Sequence, residues 1–170
     1  NCLIVEIRRL LEIPHFVKTM IENKWLGSKT KQGFYKRVVN TDGKKEILSL
    51  DLNTLEYRTK KRASFTTLEL TKTIDNVGDR FKVLIKGTDK AGEFYRKCFA
   101  ALFAYVQNRI PEISDELYRI DDGLRAGFGW EHGPFQIWDA IGVEKGIEIM
   151  KAEGKEPAAW VTEMLANGQT

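Results

Sequence analysis

The sequence predicts a mostly α-helical protein with a small β ribbon as an insert. Three observations carry this. Apolar residues recur at three- and four-residue spacing over most of the chain. Residues 34 to 59 alone change to short extended runs divided by turn chemistry. The 170 residues are 42 % hydrophobic and 30 % charged, with a mean hydropathy of -0.36, which describes a folded chain long enough to bury a core.

The elements follow in order. Leu3, Ile4, Ile7, Leu10 and Leu11 mark an amphipathic helix that ends before Pro14. Pro14 opens a second helix, with Phe16, Val17, Met20 and Ile21 on its apolar face, Asn23 near its end and Gly27 as its stop. Gly27 to Lys31 is a loop. Phe34, Tyr35, Val38 and Val39, then Thr41-Asp42-Gly43 as a turn, then Ile47, Leu48 and Leu50, then Leu55 and Tyr57, predict a hairpin or three-stranded ribbon. Leu68, Leu70, Ile74 and Val77 return to the helical period, with a continuation through Phe81 and Leu84 interrupted at Gly78. The broad apolar face of Ala91, Phe94, Tyr95, Cys98, Phe99, Leu102, Phe103 and Val106 predicts a central core helix from about 90 to 108. A helix from about Ser114 is broken by Gly127-Phe128-Gly129, and short helices follow around 135–141, 143–152 and 157–165, stopped by Gly142, Gly154 and Gly168.

Composition excludes several function classes. No apolar run approaches the roughly 18 residues of a membrane span. The net charge of +3 selects no polyanion by itself. It is unevenly spread, however: residues 24 to 62 hold 11 Lys or Arg against 4 acids, leaving the rest of the chain with an excess of four acids. Such a cationic ribbon could hold the phosphates of a nucleotide-like ligand, or be a solvated surface. Cys2 and Cys98 have no Cys-x-x-Cys or Cys-x-x-His spacing, so they are expected as free thiols in a reducing, cytoplasmic compartment. A start without Met or a signal-peptide pattern predicts an internal piece of a longer protein.

Catalytic constellations are sparse. Of the two histidines, His15 sits at a helix start, and His132 adjoins Glu131, where neighbouring side chains rarely converge. No metal-ligand spacing is present. Gly127-x-Gly129-x-x-x-Gly133 lies between helices rather than after a strand, which fails the context of a dinucleotide fingerprint. Two segments stand out instead. In Trp25-Leu26-Gly27-Ser28-Lys29-Thr30-Lys31-Gln32-Gly33-Phe34-Tyr35-Lys36, Gly27 permits a left-handed stop and Gly33 a close backbone approach. In Ile120-Asp121 followed by Gly127-Phe128-Gly129-Trp130-Glu131-His132-Gly133-Pro134-Phe135-Gln136-Ile137-Trp138-Asp139-Ala140-Ile141-Gly142, Pro134 can fix a first helical turn and Gly142 end the helix, with Phe135 and Trp138 on one face.

Together these segments resemble the helical C-terminal domain of the 3-hydroxyacyl-CoA dehydrogenase family. The first is similar to a pattern of Pro-x-Phe, helix, Leu-Gly-Arg-Lys-x-Gly-x-Gly-Phe-Tyr, with Ser28 in place of Arg and Lys31 in place of Gly. The second is similar to Ile-Asp, Gly-x-Gly, Gly-Pro-Phe, Asp-x-x-Gly, carried by Asp121, Gly127, Gly129, Gly133, Pro134, Phe135, Asp139 and Gly142. In each family repeat that signature precedes the Gly-Phe-Tyr element, whereas here it follows. The resemblance therefore implies the tail of one helical repeat in 1–37, a connector in 38–87 and most of a second repeat in 88–170, as in the long bacterial β-oxidation enzymes.

The implied fold is the all-α architecture shared with the C-terminal domain of 6-phosphogluconate dehydrogenase. The implied activity is NAD-dependent oxidation of a 3-hydroxyacyl-CoA, with NAD and the catalytic His-Glu pair held by a Rossmann domain outside this chain. The family's catalytic Asn falls on Arg96, so no catalytic residue carries over and the chain alone is expected to be inactive. It would form a wall of the acyl-CoA cleft beside the Rossmann domain, packing Phe135, Ile137 and Trp138 against the matching repeat of the parent chain, with that apolar surface exposed and open to homodimer formation in the isolated piece. Lys29, Lys31 and Lys36 would lie near the CoA phosphates. No membrane and no nucleic acid are expected. A different class remains as the alternative, a helical interaction or nucleic-acid module using Arg58, Lys60, Lys61 and Arg62.

Overall fold

The computed structural model describes residues 12 to 169. The helix expected over residues 3 to 11 lies outside them, as does Cys2. The chain forms two compact units, divided between Ala63 and Ser64. That boundary falls inside the 38–87 segment: the ribbon belongs to the first unit and the helices after it to the second.

In the first unit, α1 (His15–Glu22) follows Pro14, whose carbonyl accepts from Val17 and Lys18 N–H. The helix stops before the glycine expected to end it. Lys24 adopts a left-handed backbone, φ 59°, with Trp25 N–H reaching back to the Met20 carbonyl at 2.8 Å, which closes the last turn in the Schellman manner. Gly27, φ 94°, opens a 3-10 turn over Ser28–Thr30 instead. The ribbon then runs β1 (Tyr35–Val39), β2 (Lys45–Leu50) and β3 (Tyr57–Thr59), an antiparallel meander in sequence order. Gly43, φ 74°, makes the first turn. Asp51 organises the second by accepting Asn53 N–H at 3.0 Å and pairing with Arg58 at 3.0 Å. Met20 and Leu50 are buried, Trp25 meets Tyr57 edge-on at 5.7 Å, and the Tyr57 hydroxyl donates to the Gly33 carbonyl at 2.6 Å.

The second unit is helical: α2 (Thr66–Thr71), α3 (Val77–Lys86), α4 (Lys90–Gln107), α5 (Leu117–Phe128), α6 (Pro134–Ile141), α7 (Val143–Ala152) and α8 (Ala159–Ala166). The expected break at Gly78 falls earlier, over residues 72 to 76. Asn76 caps α3 by accepting Asp79 N–H, and Gly78 sits buried inside the helix because α6 packs there, leaving a Cβ only 3.3 Å from Ala140 Cβ. Asp89 caps α4 through Ala91 and Gly92 N–H and holds α2 through Thr67 N–H and hydroxyl, so those amides hold its carboxyl below the ordinary value.

Helix α4 is the axis of the core. Phe99, Phe103 and Trp138 stack in series, the last pair 4.6 Å apart, over Ala100, Met150, Ile149 and Val161. The buried polar Gln107 is paired at both ends of its amide: its side chain donates to the Glu156 carbonyl at 2.9 Å and accepts Ala158 N–H at 2.8 Å, tying the start of α8 to the end of α4.

Candidate functional site

The Gly-Pro-Phe segment forms a junction between α5 and α6. Asp121, one helical turn into α5 and 4 % exposed, accepts Phe135 N–H at 2.8 Å on one carboxylate oxygen and Gln136 N–H at 3.1 Å on the other. It therefore caps α6 from another helix, supplying acceptors for amides that no helical turn can satisfy. Gln136 completes the cap by accepting Gly133 N–H at 3.0 Å, and Pro134 at the helix start has no N–H to satisfy.

The approach is so close that a Cβ on Gly133 would lie 2.4 Å from Asp121 Cα. That contact explains why glycine stands there. Burial pushes the Asp121 carboxyl above its ordinary value, against the pull of the two amides and with the help of the Asp139 and Asp122 charges. Gly129, φ 65°, closes α5 and Gly142, φ 99°, divides α6 from α7. Gly127 is exposed with free space at its Cβ, and nothing in the fold requires glycine there.

Phe135, Ile137 and Trp138 do not present the docking face expected of them. They are 6 %, 6 % and 3 % exposed, because α6 buries them against α4 and α8 within the unit's own core. Asp139 is exposed and lines a shallow cavity of about 330 Å³ with Arg125, Glu131, His132 and Gln136. The His132 ring stands edge-on to Phe81 at 5.8 Å. His15 is exposed. Arg96, where the family resemblance would place an Asn, clasps the end of α3 by donating to the Ile85 and Gly87 carbonyls at 2.9 and 2.5 Å. Among the described residues no three His, Cys, Asp or Glu side chains gather as a metal site, and no helix is long and apolar enough to cross a membrane.

In the first unit a groove of about 770 Å³ gathers Lys31, Arg37 and Lys60 beside Phe34, Tyr35 and Ile47, with no acidic side chain in its lining. Of the three lysines expected there, only Lys31 lines it. Lys29 sits exposed in the 3-10 turn before the ribbon, and strand alternation explains Lys36: Tyr35 and Arg37 share one face of β1 with Ile47, the register partner of Arg37, while Lys36 points to the other and lies 5.4 Å over the Tyr57 ring. Arg37 and Lys60 were the cations to expect, and the period of two in the ribbon was the signal for Arg37. Lys31 has φ 62°, a conformation glycine adopts without steric cost, which fits the resemblance at that position. Gly33 is fixed by contact: a Cβ there would lie 2.8 Å from Gly27 Cα.

A probable 3-hydroxyacyl-CoA dehydrogenase of Bacillus subtilis (strain 168) is 35 % identical over 161 residues, 95 % of this chain and 20 % of that protein. The chain is homologous to one segment of that protein. Proteins described as fatty acid oxidation complex trifunctional enzyme, from Rickettsia felis (strain ATCC VR-1525 / URRWXCal2) and Rickettsia prowazekii (strain Madrid E), match at 28 % over 69 % of the chain and 24 % over 77 %. The chain spans between 15 % and 20 % of the length of these relatives. No family model and no solved structure matches. The resemblance drawn from the two segments is thus borne out, as is the mostly helical fold with its small ribbon.

Proposed function

We propose that this chain is the helical, supporting portion of an NAD-dependent 3-hydroxyacyl-CoA dehydrogenase of fatty-acid β-oxidation. The observation that carries the reading is the alignment of 95 % of the chain with one such protein, and it favours this reading over a nucleic-acid module. The tail of one helical repeat in 1–37 and most of a second in 88–170, the Rossmann partner, the pairing of copies and the cytoplasmic setting belong to the same proposal. NAD, held by other parts of the parent protein, would supply the hydride acceptor. Among the described residues the sheet is antiparallel, Gly127 lies within α5, and Gly129 and Gly133 lie between α5 and α6, so none of these glycines follows a strand as a dinucleotide fingerprint requires. No hydride or proton step is assigned to any residue here.

What the chain can supply is binding. Lys31, Arg37 and Lys60 offer positive charge for the phosphates of CoA, and the neighbouring aromatic rings offer a flat surface. In a full-length protein carrying this segment, NADH formation from a 3-hydroxyacyl-CoA is the expected activity. Arg37→Ala or Lys60→Ala should raise KM for the thioester about two- to fivefold with kcat unchanged, as exposed charge contacts are individually weak, while Lys36→Ala should leave KM as it was. No NADH formation overturns the dehydrogenase reading. Normal turnover with KM indifferent to Arg37 and Lys60 overturns only the groove.

A further inference from the structure

Arg109 is the most unusual side chain of the second unit. It follows the end of α4 and is 8 % exposed, yet only one edge of its guanidinium is paired: Nη1 meets Glu112 at 2.7 Å. Nε and Nη2 make no hydrogen bond. Leaving donors of a buried cation unmet is costly, more so than for a neutral buried group. The two nitrogens are not a random pair. Nε–H and Nη2–H lie parallel along one side of the guanidinium plane, the spacing that meets both oxygens of a carboxylate.

Arg109 also lines a cavity of about 860 Å³ whose walls include Leu102, Val106, Ile120, Leu124 and Trp130. The lining also carries Asp115, Glu116 and Arg119, and apolar walls with a few placed charges describe a site for an amphipathic small molecule. The charges around it leave that edge as the anchor, since Arg119 is engaged with Glu116 and Glu112 takes the other edge of Arg109. Both open nitrogens are shut off from water, so a ligand reaches them when a neighbour gives way. Tyr105, 48 % exposed with the guanidinium 4.9 Å over its ring, has the freedom to swing aside.

We infer that this cavity binds a free aliphatic carboxylate, with the chain among the apolar walls and the carboxylate on the Nε and Nη2 edge of Arg109. The inference is independent of the dehydrogenase reading, because the ligand is an acid rather than a thioester and this chain alone forms the site. Calorimetry of the 170-residue chain with decanoate, kept below micelle-forming concentration, should give saturable one-to-one binding, with decan-1-ol at least about tenfold weaker. That comparison needs no variant. Arg109→Gln, checked for folding by circular dichroism, should lose decanoate binding while its weak affinity for decanol stays. Leu124→Trp, which fills the cavity without touching Arg109, should abolish both. Absence of saturable decanoate binding, equal affinity for the alcohol, or undiminished decanoate binding by folded Arg109→Gln would each overturn the assignment.

Discussion

Replacing Asp121 with Ala should destabilise the helical unit by about 3 kcal/mol, lowering its Tm by more than about 10 °C. The size follows from position. The carboxylate is buried and accepts two amides of the first turn of α6. Alanine leaves both without a protein acceptor, the Phe135 amide in a buried place. The carboxyl also carries a pH signature. Its pKa in the folded chain is raised above the ordinary 3.8, chiefly by burial, so the folded state holds this proton more tightly than the unfolded state does. The stabilisation linked to the proton is complete in acid below the ordinary value and is lost as pH rises through the raised folded value. The stability difference between wild type and Asp121→Asn should therefore narrow as pH is raised across that window. Urea midpoints of the two proteins measured in parallel would show it, and a gap that widens with pH would contradict the account.

Gly146→Ala should cost about 2–3 kcal/mol by overpacking, a large effect for one methyl group on a helix, where alanine normally helps. A Cβ at 146 would stand 2.1 Å from Trp138 Nε1. The indole cannot retreat: it is 3 % exposed, stacks on Phe103 at 4.6 Å, and donates from Nε1 to the Val143 carbonyl at 3.0 Å. Trp138→Phe removes the obstructing ring atoms, so a double-mutant cycle should recover a good part of the loss. Unaltered stability of the single variant would show that α6 and α7 pack more loosely than these distances state.

What was legible in the sequence was periodicity and punctuation. The long apolar face of α4, the three-stranded ribbon and the Pro134 to Gly142 helix emerge where expected, because each is set by local spacing and by residues with fixed backbone preferences. Contacts between distant residues were not legible. Nothing local says that Lys24 takes the left-handed turn ahead of Gly27, or that Gly78 tolerates a helix interior because α6 crosses it. The Gly-Pro-Phe segment shows both sides. Its residues were recognised, but an apolar triplet on one helix reads equally as a docking face or as core, and only the stack of Phe103 on Trp138 decides for core. In the ribbon, counting charges found the basic segment, while the strand period decided which of its cations share a groove. Arg109 left no sequence signal, since one arginine among many reveals its burial only in the fold.

The central claim is that these helices and their ribbon support and bind, while hydride transfer is carried out by other parts of the parent protein. The most direct test mixes the purified 170-residue chain with NAD and 3-hydroxybutyryl-CoA and follows NADH absorbance. The account predicts a flat trace, under conditions where a full-length relative produces NADH. A steady rise that scales with the amount of this chain would contradict it.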